Sequence, residues 1–210
     1  MNIRSVLLLA AASAAGAAEL VIRDIGAEVE LPATAFDFTV DDGRSSRSGS
    51  DSFEQAVGIS IGGRWSFART GDSSGPVLGI SLAADRAAYP GGGSWFQSEV
   101  RGQAGWGWAL NDRFAVLAEA LLGLGAARLT IDGSGDFPSY SARGGILEPG
   151  AQAVLLWSVT DSWVVSGTAG YRYARAHLTG DDADVDLTLR GIAVAVGVAW
   201  RITDRPFLLE

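Results

Sequence analysis

Residues 192–202 read Ile-Ala-Val-Ala-Val-Gly-Val-Ala-Trp-Arg-Ile, and every second side chain is large and apolar. Ile192, Val194, Val196, Val198, Trp200 and Ile202 share one face of an extended chain, with Ala193, Ala195, Gly197, Ala199 and Arg201 on the other. A period of two belongs to a strand; a helix repeats every 3.6 residues. The second face decides the environment. In a water-soluble sheet the less apolar face would carry mixed charges, but here it is almost all Ala and Gly. Large residues outward and small ones inward suit the wall of a narrow barrel bathed in hydrocarbon.

The same alternation recurs elsewhere. Val57, Ile59, Ile61, Trp65 and Phe67 alternate with small or polar residues, as do Val100, Ala104, Trp106, Trp108 and Leu110. Filling the intervals predicts about eight strands, near 26–40, 55–69, 76–88, 96–110, 114–130, 146–160, 163–178 and 187–202. Each exceeds the 9–11 or so tilted residues that cross a bilayer. In the first strand the apolar phase moves from Ala27, Val29 and Leu31 to Phe36, Phe38 and Val40, which predicts a bulge or break at Pro32. Tight turns at 71–75, 111–113 and 160–162 alternate with polar stretches at 41–54, 89–95, 131–145 and 179–186. In outer-membrane barrels the short turns are periplasmic and the long loops external. The first of these loops, rich in Ser, Gly, Asp and Arg, reads as mobile.

Bulk composition agrees with this reading. The chain has 210 residues, 48% of them hydrophobic, and 28 glycines. Beyond the N-terminus no apolar run is long enough for a spanning helix. There is no cysteine, which excludes disulfides, thiolate catalysis and zinc–thiolate sites. The net charge of -8 and the lack of a basic stripe argue against nucleic acid as a partner. Residues 1–18 carry Arg4, an apolar core from Val6 to Ala15 and small residues before Glu19, the pattern of a secretory signal peptide. Residues 19–210 then form one barrel domain.

Several residues acquire roles in this frame. Trp65, Trp108, Trp157, Trp163 and Trp200 lie at turn-proximal ends of strands and are expected to form a periplasmic aromatic girdle. Parity turns Glu28, Glu30, Arg64, Asp85, Glu99, Arg101, Gln103, Glu119, Gln152, Arg172 and Arg201 inward. Buried charges must pair, so Arg64, Glu99, Arg101, Glu119 and Arg172 are candidates for a salt-bridged plug. Arg86, Arg128, Arg175 and Arg190 fall near the outer strand ends, where guanidinium matches lipid-headgroup phosphate. The alternative for these four is an ordinary rim among acidic loops. Asp181, Asp182, Asp184 and Asp186 form an acidic loop without an EF-hand pattern. No metal, cofactor or catalytic residue is assigned.

Gly-Tyr-Arg-Tyr at 170–173 and Asp-Val-Asp-Leu-Thr-Leu-Arg-Gly at 184–191, set in eight strands with alternating loops, resemble the small outer-membrane β-barrel proteins related to the OmpA membrane domain. The resemblance implies an all-β, up-and-down antiparallel transmembrane barrel in a Gram-negative-type outer membrane. It also implies insertion by the barrel assembly machinery and contact with outer-membrane lipids; lipopolysaccharide is the expected phosphate partner of the four outer-end arginines. Such barrels usually end in an aromatic residue, whereas this chain passes Phe207 to finish Leu-Leu-Glu. Three roles are open: a non-enzymatic barrel for envelope integrity or surface-loop interactions, a narrow pore or carrier, and a lipid A-modifying esterase. The last rests on a likeness to lipid A deacylases, with His177 and Thr179 where those have His and Ser. The sequence offers this histidine no evident carboxylate on a fixed strand.

Overall fold

The computed structural model describes residues 19–32, 34–89, 92–132, 139–180 and 183–202. The expected signal peptide at 1–18, Phe207 and the loop carboxylates Asp181 and Asp182 lie outside them. The described strands are β1 (Arg23–Leu31), β2 (Ala35–Asp41), β3 (Ser46–Ser52), β4 (Gln55–Ser66), β5 (Ser74–Ala88), β6 (Gly93–Ala109), β7 (Phe114–Ile131), β8 (Tyr140–Ser158), β9 (Trp163–Gly180) and β10 (Asp184–Arg201). All pairings are antiparallel, and β1 closes the sheet on β10.

These strands make eight staves. β1 and β2 are halves of one, since both pair with β10 in a single register, Leu31 opposite Val194 and Ala35 opposite Arg190. β3 and β4 are halves of the next, against β2 and β1 respectively. The result is an up-and-down antiparallel barrel. Following paired residues once around from Glu28 by way of Ser60 and Ala83 returns to the first stave at Phe38, ten residues further on. Such a stagger tilts the strands by about 40° and leaves a lumen only wide enough for side chains.

The irregularity expected at Pro32 divides between two staves. The ladder stops at Leu31 and resumes at Ala35, because proline has no N–H to donate. The extra residue lies opposite. Between the pairs Glu30–Gly58 and Ala35–Ser52, the first stave has four residues and the second five, so the bulge falls within residues 53–57.

The apolar phase change has a different origin, because face parity along the first stave never alters. In its lower half Ile25, Val29 and Leu31 are exposed; in its upper half Phe36 is buried. β10 behaves alike: Ile192 to Val198 place their apolar side chains outside, whereas Val185, Leu187 and Leu189 turn theirs inside. The upper barrel stands in water, so its apolar residues retreat to the interior. Phe36, Phe53, Trp95, Leu129, Leu178 and Leu187 belong to that upper core. A second apolar cluster, including Leu20, Ile22, Val77, Leu117 and Val154, fills the opposite end.

The four long connections are shorter than expected. Ser46–Ser52, expected to be mobile, is strand β3, hydrogen-bonded to β2, and the connection contracts to 42–45. Between β5 and β6 it is 89–92, between β7 and β8 it is 132–139, and between β9 and β10 it is 181–183. Polar sequence that continues a ladder above the membrane gives no apolar alternation, so its strand character is invisible to a search for greasy faces.

Candidate functional site

The outer wall carries Ile59, Ile61, Leu78, Ile80, Leu82, Val100, Leu124, Val196 and Val198 as exposed residues. On β10 the band runs from Trp200 to Arg190, about 33 Å of strand and about 25 Å along the tilted axis. That is the height of the apolar belt of an outer-membrane barrel. Trp108, Trp157, Trp163 and Trp200 are exposed at its lower border, with Trp106 close by. Trp163 meets Trp200 edge-on at 5.0 Å, and Trp157 stacks on Phe114 at 6.2 Å. Trp65 is half-buried and lies over Gly63, where a Cβ would touch the indole at 2.8 Å. No described helix is long and apolar enough to cross a membrane; the strands do so. An apolar belt of this height above an aromatic border, on a closed antiparallel sheet, is the wall of an outer-membrane β-barrel.

Inside, charge is layered. Toward the outer end Arg101, 2% exposed, pairs with Glu99 at 2.6 Å, Glu30 at 2.7 Å, Asp85 at 3.0 Å and Glu148 at 3.3 Å. Arg172 shares two of these acids, Glu148 at 2.8 Å and Glu30 at 3.1 Å. Gln97 donates to Asp85 at 2.8 Å and accepts from the Trp95 indole at 3.0 Å, tying this layer to the upper apolar core. Nearer the periplasm Arg64 pairs with Glu28 at 3.1 Å and Glu119 at 3.4 Å. Gln152 donates to Glu119 at 2.8 Å and Ser166 to Glu28 at 3.0 Å. Arg201 and Asp24 meet at 3.0 Å at the lower end.

The five plug candidates therefore fall into two sets, Arg64 with Glu119, and Arg101 with Glu99. Arg172 joins the second set through Glu30 and Glu148. Two carboxylates escaped sequence reasoning. Asp24 precedes the predicted start of the first strand. Glu148 shares the face of Gln152 four residues on, a parity signal that could have found it. Glycines make the space for this packing: a Cβ at Gly58 would collide with the Asp85 carboxylate, and one at Gly123 with that of Glu99. Among the described residues, voids in the lumen include about 40 Å³ beside Arg64, about 20 Å³ beside Trp95 and about 30 Å³ beside Leu20 and Arg201, each the scale of one to a few water molecules.

On the outer rim the four headgroup candidates divide. Arg190 is neutralised by Asp37 at 3.0 Å, and Arg175 donates to the Tyr173 hydroxyl at 2.8 Å. Arg86 and Arg128 are exposed with no carboxylate in ion-pair distance among the described residues. His177 does have a carboxylate on a fixed strand: its Nδ1 lies 2.7 Å from Asp186 on β10. Among the described residues no group of three or more His, Asp or Glu is arranged to hold a metal ion.

No protein-family model matches the chain, and no curated protein matches it. Solved structures similar to it include the following three. Ail, the attachment invasion locus protein of Yersinia pestis, is 17% identical over 86% of this chain and 99% of its own, with a TM-score of 0.43. Neisserial surface protein A is 16% identical over 85% and 97%, also at 0.43. The translocator domain of the autotransporter NalP from Neisseria meningitidis is 10% identical over 95% of each chain, at 0.36.

Proposed function

We propose that the protein is a non-conducting, non-enzymatic barrel that reinforces the outer membrane and holds its hairpins at the cell surface. The observation that carries this is the interior: two apolar seals with ion-paired layers between them. A solute would have to part the Arg101–Glu99 contacts and then displace Phe53 and Trp95 or, leaving the other way, Leu20 and Ile22. Breaking buried pairs leaves uncompensated charge, which is costly. Insertion by the barrel assembly machinery and contact with lipopolysaccharide belong to this reading.

Planar-bilayer recording on the refolded chain tests it. The expected trace is silent; steady ohmic steps would favour the narrow pore instead. Cells lacking the protein are expected to become more sensitive to detergent.

A second reading has one observation in its favour. Asp186 beside His177 is the orienting carboxylate a base needs, and Thr179 lies on the same face two residues on. Lipid A from cells with and without the protein, compared by mass spectrometry, would differ by an acyl chain if this esterase reading holds.

A further inference from the structure

Arg128 on β7 and Arg143 on β8 stand directly opposite each other in the ladder. Both are exposed on the outer face, and no described carboxylate pairs with either. Paired residues at this separation, about 4.5–5.5 Å between Cα atoms, repel when their charges are alike and weaken the sheet. The next outward pair on the same strands is Thr130 and Ser141, which adds hydroxyl donors and no anion. Toward the apolar band the wall becomes hollow. A Cβ at Gly145 would meet nothing closer than 3.9 Å, and a groove of about 650 Å³ passes over it, walled by Leu124 and Leu147 on β7 and β8 and by Arg175, His177, Asp186 and Thr188 on β9 and β10. Unpaired cations above and the paired Leu124 and Leu147 below them on the same two strands match an amphiphile with an anionic head.

We propose that Arg128 and Arg143 together grip the phosphate of an outer-leaflet lipid whose acyl chain lies in the groove over Gly145. The inference rests on the barrel standing in the outer membrane with this end outward. Two guanidiniums converging on one phosphate supply several charge-assisted hydrogen bonds. The bound anion also cancels the repulsion between them. Arg143 was absent from the sequence-based candidates because its strand was expected to begin at 146.

The test uses the full chain refolded in neutral detergent, titrated with phosphatidic acid, with diacylglycerol and with inorganic phosphate, and read by native mass spectrometry and by melting. Phosphatidic acid should remain bound and raise Tm, whereas diacylglycerol should do neither. The double variant R128Q/R143Q should bind phosphatidic acid at least about tenfold more weakly. Without lipid, the same variant should melt no lower than wild type, because the like-charge pair is gone. G145L should block the lipid while leaving both arginines in place, and R113Q at the opposite end should change nothing.

Unchanged phosphatidic acid binding in R128Q/R143Q, or equal protection by diacylglycerol, overturns the proposal. So does equal protection by inorganic phosphate with G145L silent, which would mark a free-anion site. Heat-modifiable gel migration reports folding separately. A variant that migrates as a barrel but loses the lipid therefore speaks to this site and leaves the membrane reading untouched.

Discussion

Arg101 is the side chain on which the inner charge depends. Glu30, Asp85, Glu99 and Glu148 all lie within 3.3 Å of it. Arg101→Met would leave Arg172 as the one guanidinium among them, and should cost about 3–5 kcal/mol, read as a lowered urea midpoint in lipid vesicles. Asp42 offers a contrasting residue-level case at the exposed tip of the β2–β3 hairpin. Its carboxylate accepts from the amides of Arg44 at 2.8 Å and Ser45 at 2.7 Å. These hydrogen bonds hold its pKa below the ordinary 3.8. A depressed carboxyl stabilises the fold above its unfolded pKa and ceases to do so as pH falls through the folded value. Acidification below about 3.8 should therefore release those two amides to hydrogen exchange while the staves stay protected. The inward-turning residues were legible because parity needs only the local alternation. Which acid meets which arginine was not, since each ion pair crosses staves and depends on the stagger.

At the scale of the strands, the glycines are of two kinds, according to the face on which each lies. Gly102 on β6 faces lipid, and a Cβ there meets nothing within 4 Å. Gly123 on β7 faces the lumen, where a Cβ would displace the Glu99 carboxylate and approach Glu148 at 3.3 Å. Gly102→Val should be neutral or stabilise by up to about 1 kcal/mol, whereas Gly123→Ala should destabilise by about 1–3 kcal/mol; paired urea titrations would resolve the two. Strand cores within the membrane were legible from the sequence because one face had to be greasy. The strand ends were not: Ser46–Ser52 and Tyr140–Gly145 extend ladders into water, where no face need be apolar. Pro32 was recognisable as an interruption, but its compensating bulge sits on another stave.

At the scale of the whole molecule, the tryptophans divide into two environments. Trp106, Trp108, Trp157, Trp163 and Trp200 are 43–48% exposed on the wall, whereas Trp95 is 2% exposed in the upper core. Lipids brominated near the headgroup should quench the wall set. A variant keeping Trp95 alone should resist both those lipids and aqueous acrylamide; strong quenching by either would place that indole elsewhere. The exchange of polarity between inside and outside along the axis has a mechanical result. Sinking the barrel by one or two residues would submerge His177, Asp186 and Arg190 in oil, and lifting it would wet Trp163 and Trp200. The protein thus has one preferred depth, and a bilayer of the wrong thickness must deform around it.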